Sequence, residues 1–191
     1  MQEQYPQIEL WIDTGNDEQN AAVKQMLDSL EVELVVKNTL QAAGITQPLM
    51  LTLLISDDDA IRDLNRQYRQ QDKPTDVLSF PLLDKPLVDA PADQLWMTSD
   101  EEGEREAVQQ RSSAVFVTPP ELPTNLGDIV ISWPTILRQA SAAGHSPAYE
   151  ALYLISHGVL HLVGYDDQSE AGYSAMIQIQ QSVLEALGQK A

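Results

Sequence analysis

The chain has 191 residues, no cysteine, and 29 Asp and Glu against 11 Lys and Arg, for a net charge of −18. The missing cysteines exclude disulfides, thiolate metal sites and a cysteine nucleophile. The charge argues against diffuse nucleic-acid binding, which needs Lys and Arg to neutralise phosphates, so an RNA role requires a local basic patch inside an acidic shell.

The first residues lack the basic start and apolar run of a secretory signal, and no apolar run approaches the ~18 residues of a membrane span. The expectation is a soluble cytoplasmic protein. Residues 7–12 alternate apolar and polar, a short-strand pattern. Residues 17–43 carry helical periodicity through Val23, Met26, Leu27, Leu30, Leu34, Val35 and Leu40, as two helices broken near Glu31, with Gly44 as the closing left-handed cap. Residues 48–55 form a continuous apolar run, a buried strand. Ser56 followed by three aspartates suits a helix N-terminus, and that helix runs to about Arg69. Asp72 to Thr75 break it, and residues 76–81 read as a strand whose terminal proline marks an edge or an end.

Residues 84–123 hold nine Asp and Glu against three Lys and Arg, are rich in proline and lack periodicity. They read as a long acidic surface insertion, partly disordered. A short polar helix over 101–110 is possible in composition, with Trp96, Val115 and Phe116 as pins. Residues 126–133 resume as a strand. Pro134 opens a helix ending near Gly144. Ser146 and Pro147 open another, apolar on most sides and ending at Gly164, which reads as the central buried helix. A last helix covers about 169–187. The fold class is α+β: one domain over residues 1–191, with a small mixed sheet of about four strands packed with five or so helices.

On the central helix stand His157 and His161, at i and i+4 and so on one face. Two imidazoles so placed can grip one metal ion, and a carboxylate from a following turn can supply a third ligand, leaving a position open for hydrolytic chemistry. An isolated pair is a weak signal, but burying two unpaired imidazoles in so apolar a helix would be costly. Gly158 is taken to keep the surface beside His157 open. Asp167, just past the glycine turn, is the third-ligand candidate. Its spacing to Glu170 also fits a capping box for the next helix. Asp166 is the candidate to orient a histidine from behind. His145, roughly 16 Å back along the axis, cannot join. Glycine follows His157 where the zinc-protease motif His-Glu-x-x-His has its general base, which counts against peptide hydrolysis.

Arg62, Arg66 and Arg69 share one helical face, beside a face of Ile61, Leu64 and Tyr68 read as buried, and Lys73 follows in the break. Arg62 and Arg66 fit a solvated face pairing with Asp58, Asp59 and Asp63. Arg69, at the helix end, is the better phosphate contact, since arginine grips phosphate with two parallel hydrogen bonds.

Two stretches carry a resemblance. The run from Leu64 to Pro81 (Leu-Asn-Arg-Gln-Tyr-Arg-Gln-Gln-Asp-Lys-Pro-Thr-Asp-Val-Leu-Ser-Phe-Pro) resembles the signature of the YbeY family, single-domain metal-dependent endoribonucleases that mature ribosomal RNA. The run from His157 to Asp166 resembles that family's His-Gly-x-Leu-His-Leu-x-Gly-Tyr-Asp, and Gly127 to Ser132 its intervening strand. The likeness covers about residue 50 to the C-terminus, apart from the insertion.

The resemblance implies a zinc ion, with His157 and His161 as ligands, Arg69 as the residue needed for activity, and Arg69 and Lys73 on the substrate. It implies ribosomal RNA as partner, with ribosomal proteins or the small ribosomal subunit as further contacts, and neither membrane nor DNA. The family pattern has a third histidine where this chain has Asp167, whose added negative charge makes a bound metal a poorer Lewis acid. The leading expectation is a metal-dependent, single-strand-specific endoribonuclease of ribosomal RNA maturation and ribosome quality control. The rival is a non-catalytic RNA- or ribosome-binding assembly factor with a residual metal site.

Overall fold

The computed structural model describes residues 6–96 and 123–189. Four strands form one sheet in the order β1-β2-β4-β3: β1 (Gln7–Asp13), β2 (Leu49–Ser56) and β4 (Thr124–Ser132) run parallel, and β3 (Val77–Pro81) pairs antiparallel with β4 at one edge. Six α-helices accompany it among the described residues: α1 (Asp17–Asp28), α2 (Val32–Ala42), α3 (Asp58–Arg69), α4 (Trp133–Ala143), α5 (Pro147–Val163) and α6 (Glu170–Ala186). The fold is α+β with a mixed sheet. The expected break between the first two helices falls at Glu31, which takes a left-handed φ of 48°. The possible helix at 101–110, and Val115 and Phe116, lie outside the described residues.

Strand alternation sorts the core into two faces. Leu49, Leu51, Leu53 and Ile55 of β2, with Ile129 and Ile131 of β4, pack into the main core with α1, α2 and α5. On the opposite face Val130 and Leu78 pack against Ile61 of α3, with Leu54, Leu64 and Phe80 at the margin. That second cluster is small because α3 is the only helix in it among the described residues.

Two starts differ from expectation by a residue. Asp57, not Ser56, caps α3, accepting the amide of Ala60 at 2.7 Å. Ser56 still belongs to β2, and its hydroxyl faces the Ile131 carbonyl. Likewise Trp133 opens α4 rather than ending β4, with Ser132 as cap. Asp58 then ties the two helices together, accepting hydrogen bonds from Ser132, Thr135 and Arg138, and the guanidinium of Arg138 holds its carboxyl below the ordinary range.

The described start of the acidic segment is not a loose insertion. Residues 84–96 are strapped across the C-terminal end of α5 by backbone hydrogen bonds from Leu87 to Val163, from Trp96 to Gly164 and from Asp166 to Gln94. Pro86 lies so close to Gly164 (φ 130°) that a Cβ there would meet it at 2.5 Å. Trp96 is the pin it was expected to be: its indole donates to the carbonyl of His161 at 3.0 Å. No helix among the described residues is long and apolar enough to cross a membrane.

Candidate metal centre

Helix α5 starts on Ser146, which caps the Tyr149 amide, and Pro147, and it is apolar on nearly every side. Leu152, Ile155, Val159, Leu160 and Leu162 are all fully buried. Gly158 does not open the surface beside His157, as its small size had suggested. It lets the helix settle on β4, where a Cβ would lie 2.7 Å from the Ile129 side chain. With the helix axis fixed in this way, His157 and His161 emerge together at its half-buried edge.

The two rings meet edge to face, with Nε2 of His161 3.0 Å from Nε2 of His157. Oδ2 of Asp167 stands 3.6 Å from each of those nitrogens. The circle through the three atoms has a radius of about 2.0 Å, the length of a zinc–nitrogen bond. Among the described residues this is the one trio of His, Asp or Glu whose donor atoms lie within ligating reach of one another. Two imidazoles and a carboxylate suit zinc, and three protein ligands leave a fourth position open.

Asp167 reaches this place because it is free of capping duty. Ser169, not Asp167, caps α6, accepting the amide of Gly172 at 2.9 Å, and the Ser169 hydroxyl also bonds the Asp93 carbonyl of the strap. The neighbouring His161 above all holds the Asp167 carboxyl down at about 2, so it is a ready anion. Burial, then the charge of His161, lower the pKa of His157, which keeps that ring neutral and its lone pair available.

The residue behind His161 is not Asp166. Nδ1 of His161 faces the carbonyl of Tyr165 at 3.0 Å, so it carries the proton and leaves Nε2 bare toward the centre. Asp166 instead accepts the amide of Gln168, closing the turn. On the other side stands Gln180 of α6, fully buried, whose amide donates to the Tyr153 carbonyl at 3.2 Å. Its side-chain oxygen has no partner among the described residues, and its electrostatic effect on His157 is that of an acceptor. The sequence offered one clue to it: a glutamine on the same helical face as Met176, Val183 and Leu184, which are all buried. A second orphan is the buried hydroxyl of Ser79, which the alternation of β3 places on the α5 side.

Arg69 and Lys73 are not brought into contact with this trio. Arg69 ends α3, on the other face of the sheet, and Lys73 follows in the loop before β3. Both side chains are exposed, and neither makes a hydrogen bond or ion pair among the described residues. Arg62 pairs with Asp72 at 2.8 Å rather than with the first-turn aspartates, while Arg66 takes Asp63 at 2.7 Å as expected. Tyr68 is not buried with Ile61 and Leu64 but is 60% exposed. His145 stays clear of the centre, paired with Glu150 at 3.1 Å and packed on Tyr149.

Comparison with known proteins adds an independent line. A family model described as Endoribonuclease YbeY matches residues 13–188. Three similar curated proteins bear the name Endoribonuclease YbeY. The one from Roseiflexus sp. (strain RS-1) is 37% identical over 163 residues, 85% of each chain. That from Roseiflexus castenholzii is 35% identical over 181 residues, 94% of each. That from Desulforamulus reducens is 38% identical over 174 residues, 91% of this chain and 95% of its own.

Proposed function

This chain belongs to the endoribonuclease YbeY family, and on that premise we propose that it is a metal-dependent endoribonuclease that cuts single-stranded RNA during ribosomal RNA maturation. Ribosomal RNA is its substrate in this reading, with ribosomal proteins or the small ribosomal subunit as neighbours, a role in ribosome quality control and the cytoplasm as its place. Residues 1–191 act as one domain. The observation that carries the reading is the convergence of His157, His161 and Asp167 on one point at bonding radius.

These three residues would hold zinc. When bound, the ion supplies a Lewis acid for a phosphate oxygen and a water of lowered pKa. The protein's own part is positional. Tyr165 fixes the tautomer of His161, and Asp167 is ionised throughout the working pH range. Arg69, exposed and without a side-chain partner among the described residues, holds a phosphate and offsets charge that develops on it. Lys73 adds a second positive charge along the backbone of the substrate.

The test is metal content beside RNA cleavage for the wild type, Asp167→Ala and Asp167→His. Stoichiometric zinc that Asp167→Ala loses, together with cleavage of single-stranded RNA, is the expected result. Unchanged metal in Asp167→Ala would remove the carboxylate from the ligand set. One observation favours a second reading: an aspartate supplies the third donor, and its charge weakens the Lewis acid. If the wild type binds zinc but cuts nothing while Asp167→His cuts, the chain is a non-catalytic assembly factor. End groups decide the chemistry, since a cyclic phosphate product means attack by the RNA's own 2′-hydroxyl.

A further inference from the structure

Among the described residues, the face of the sheet away from the metal centre is mostly uncovered. Beside α3 it forms a groove of about 500 Å³ lined by Trp11, Thr52, Leu54, Leu64, Tyr68, Phe80, Asp128 and Val130. Register places Trp11, Leu54 and Val130 in one row across the strands, and Thr52, Asp128 and Phe80 in another. The groove is unusual in what it exposes. Trp11 is 57% and Tyr68 60% accessible, and Tyr68 stands edge-on to Phe80 with ring centroids 5.1 Å apart. Large aromatic surface at the two ends of an apolar floor is costly to leave in water, and a folded chain this size has ample means to cover it.

The charges around the groove narrow the occupant. Arg69 directly follows Tyr68, and its side chain, like that of Lys73, is exposed and makes no hydrogen bond or ion pair among the described residues. Exposed aromatics flanked by unpaired cations suit a single-stranded nucleic acid: bases stack on the rings while phosphates run along the cations. Aromatic rings alone would suit an apolar peptide as well, but an apolar peptide leaves Arg69 and Lys73 without the anion that an RNA phosphate supplies. Within the groove, the exposed carboxylate of Asp128 and the hydroxyl of Thr52 are the polar groups. A carboxylate there accepts hydrogen bonds from exocyclic amines and repels phosphate, so bases face inward and the backbone outward.

We propose that this groove is the base-binding subsite of the enzyme, seating a short run of single-stranded RNA with Trp11 as one stacking platform and the Tyr68–Phe80 pair as the other. The proposal rests on the endoribonuclease reading and adds to it where the bases go. Trp11 on β1 and Phe80 on β3 are three strand spacings apart, about 14 Å. That is too wide for both platforms to hold one ring, so a mononucleotide engages one platform and a run of several nucleotides engages both. Asp128 favours bases that carry an exocyclic amine (cytosine, adenine and guanine) over uracil.

Trp11 supplies the probe. Full-length protein is titrated with 2′-O-methyl cytidine oligomers of one and six nucleotides while tryptophan emission is followed, and KM is measured on a cleavable RNA. The hexamer should quench emission at far lower concentration than the monomer, and the quench should vanish in Trp11→Leu. Trp11→Leu and Tyr68→Ala should each raise Kd and KM by about 5- to 150-fold with zinc still stoichiometric, and Trp11→Phe should restore much of the loss. If the wild type cleaves RNA but neither substitution moves Kd or KM, the subsite is wrong and the nuclease reading stands. If the wild type neither binds nor cleaves RNA, the nuclease reading fails, and the subsite with it.

Discussion

The two faces of the sheet carry grooves of nearly equal size and opposite character. On the face covered by α1, α2 and α5, a groove of about 480 Å³ has an apolar floor of Ile8, Leu10, Leu27, Leu34 and Leu53 and a rim of Asp28, Glu31 and Glu33, with no cation among its lining residues. On the α3 face the groove of about 500 Å³ has aromatics at both ends and Asp128 as its one charged lining residue, and Arg69 directly follows its Tyr68 in α3. A net charge of −18 therefore describes neither surface. Local charge differs between the two grooves, and an acidic protein can still present cations beside one of them. The closed face also carries the trio of His157, His161 and Asp167 at the edge of α5, so under the proposed function metal binding and substrate binding would depend on different residues and could be broken separately.

The largest break is on the closed face. His157→Ala or His161→Ala should cost more than about 100-fold in zinc affinity, beyond the 10- to 100-fold seen when only a supporting residue is lost, read by metal content after dialysis. A variant that keeps its zinc would remove that histidine from the centre. On the open face, Arg69→Ala should lower kcat/KM by about 100-fold, the scale of losing one group that stabilises transition-state charge, while metal content holds. If zinc falls in step with activity, the two faces are coupled and the separation drawn here is wrong.

Gly158→Ala should destabilise by about 1–3 kcal/mol, because its Cβ must displace the Ile129 side chain in a packed core. Urea denaturation measures this. Acid should act on the closed face in the same direction. The folded pKa of His157 lies below 6.5, and that of Asp167 falls from 3.8 to about 2. The unfolded chain therefore takes up protons first, and metal-free protein should lose stability as pH falls through 6.5 and again below about 4. Glu150, whose pKa burial raises, works the other way, so Glu150→Gln should steepen the acid loss in thermal melts. The smallest effects belong to the rims: Glu31→Gln should leave KM for RNA within about twofold, since Glu31 belongs neither to the trio nor to the α3-face groove, and Arg62→Ala should leave stability nearly unchanged, since it breaks an exposed pair.

Local pattern made the closed face readable. The cap of α5, the histidine pair and Asp167 follow from i, i+4 spacing and a glycine stop, and these relations survive folding unchanged. What spans the chain was not readable. The choice between ligand and cap for Asp167 depended on Ser169 taking the cap, with the strap behind it. Tyr165 rather than Asp166 orients His161 because a backbone carbonyl has no signature in sequence. Gln180 lies on another helix, and Gly158 reads as open space until β4 is known to lie against it. The open face was misread at one residue: Tyr68 keeps the period of a buried position, but among the described residues no second helix packs beside α3 to cover it.

The strap from Asp84 to Trp96 has a consequence for how this scaffold tolerates change in length. Its backbone bonds to Val163, Gly164 and Asp166, with the indole of Trp96 on His161, fasten both sides of the turn that delivers Asp167. Residues removed from the strap would pull that turn out of register with the histidines. Foreign sequence is therefore worst grafted between Leu87 and Trp96, where these bonds are made.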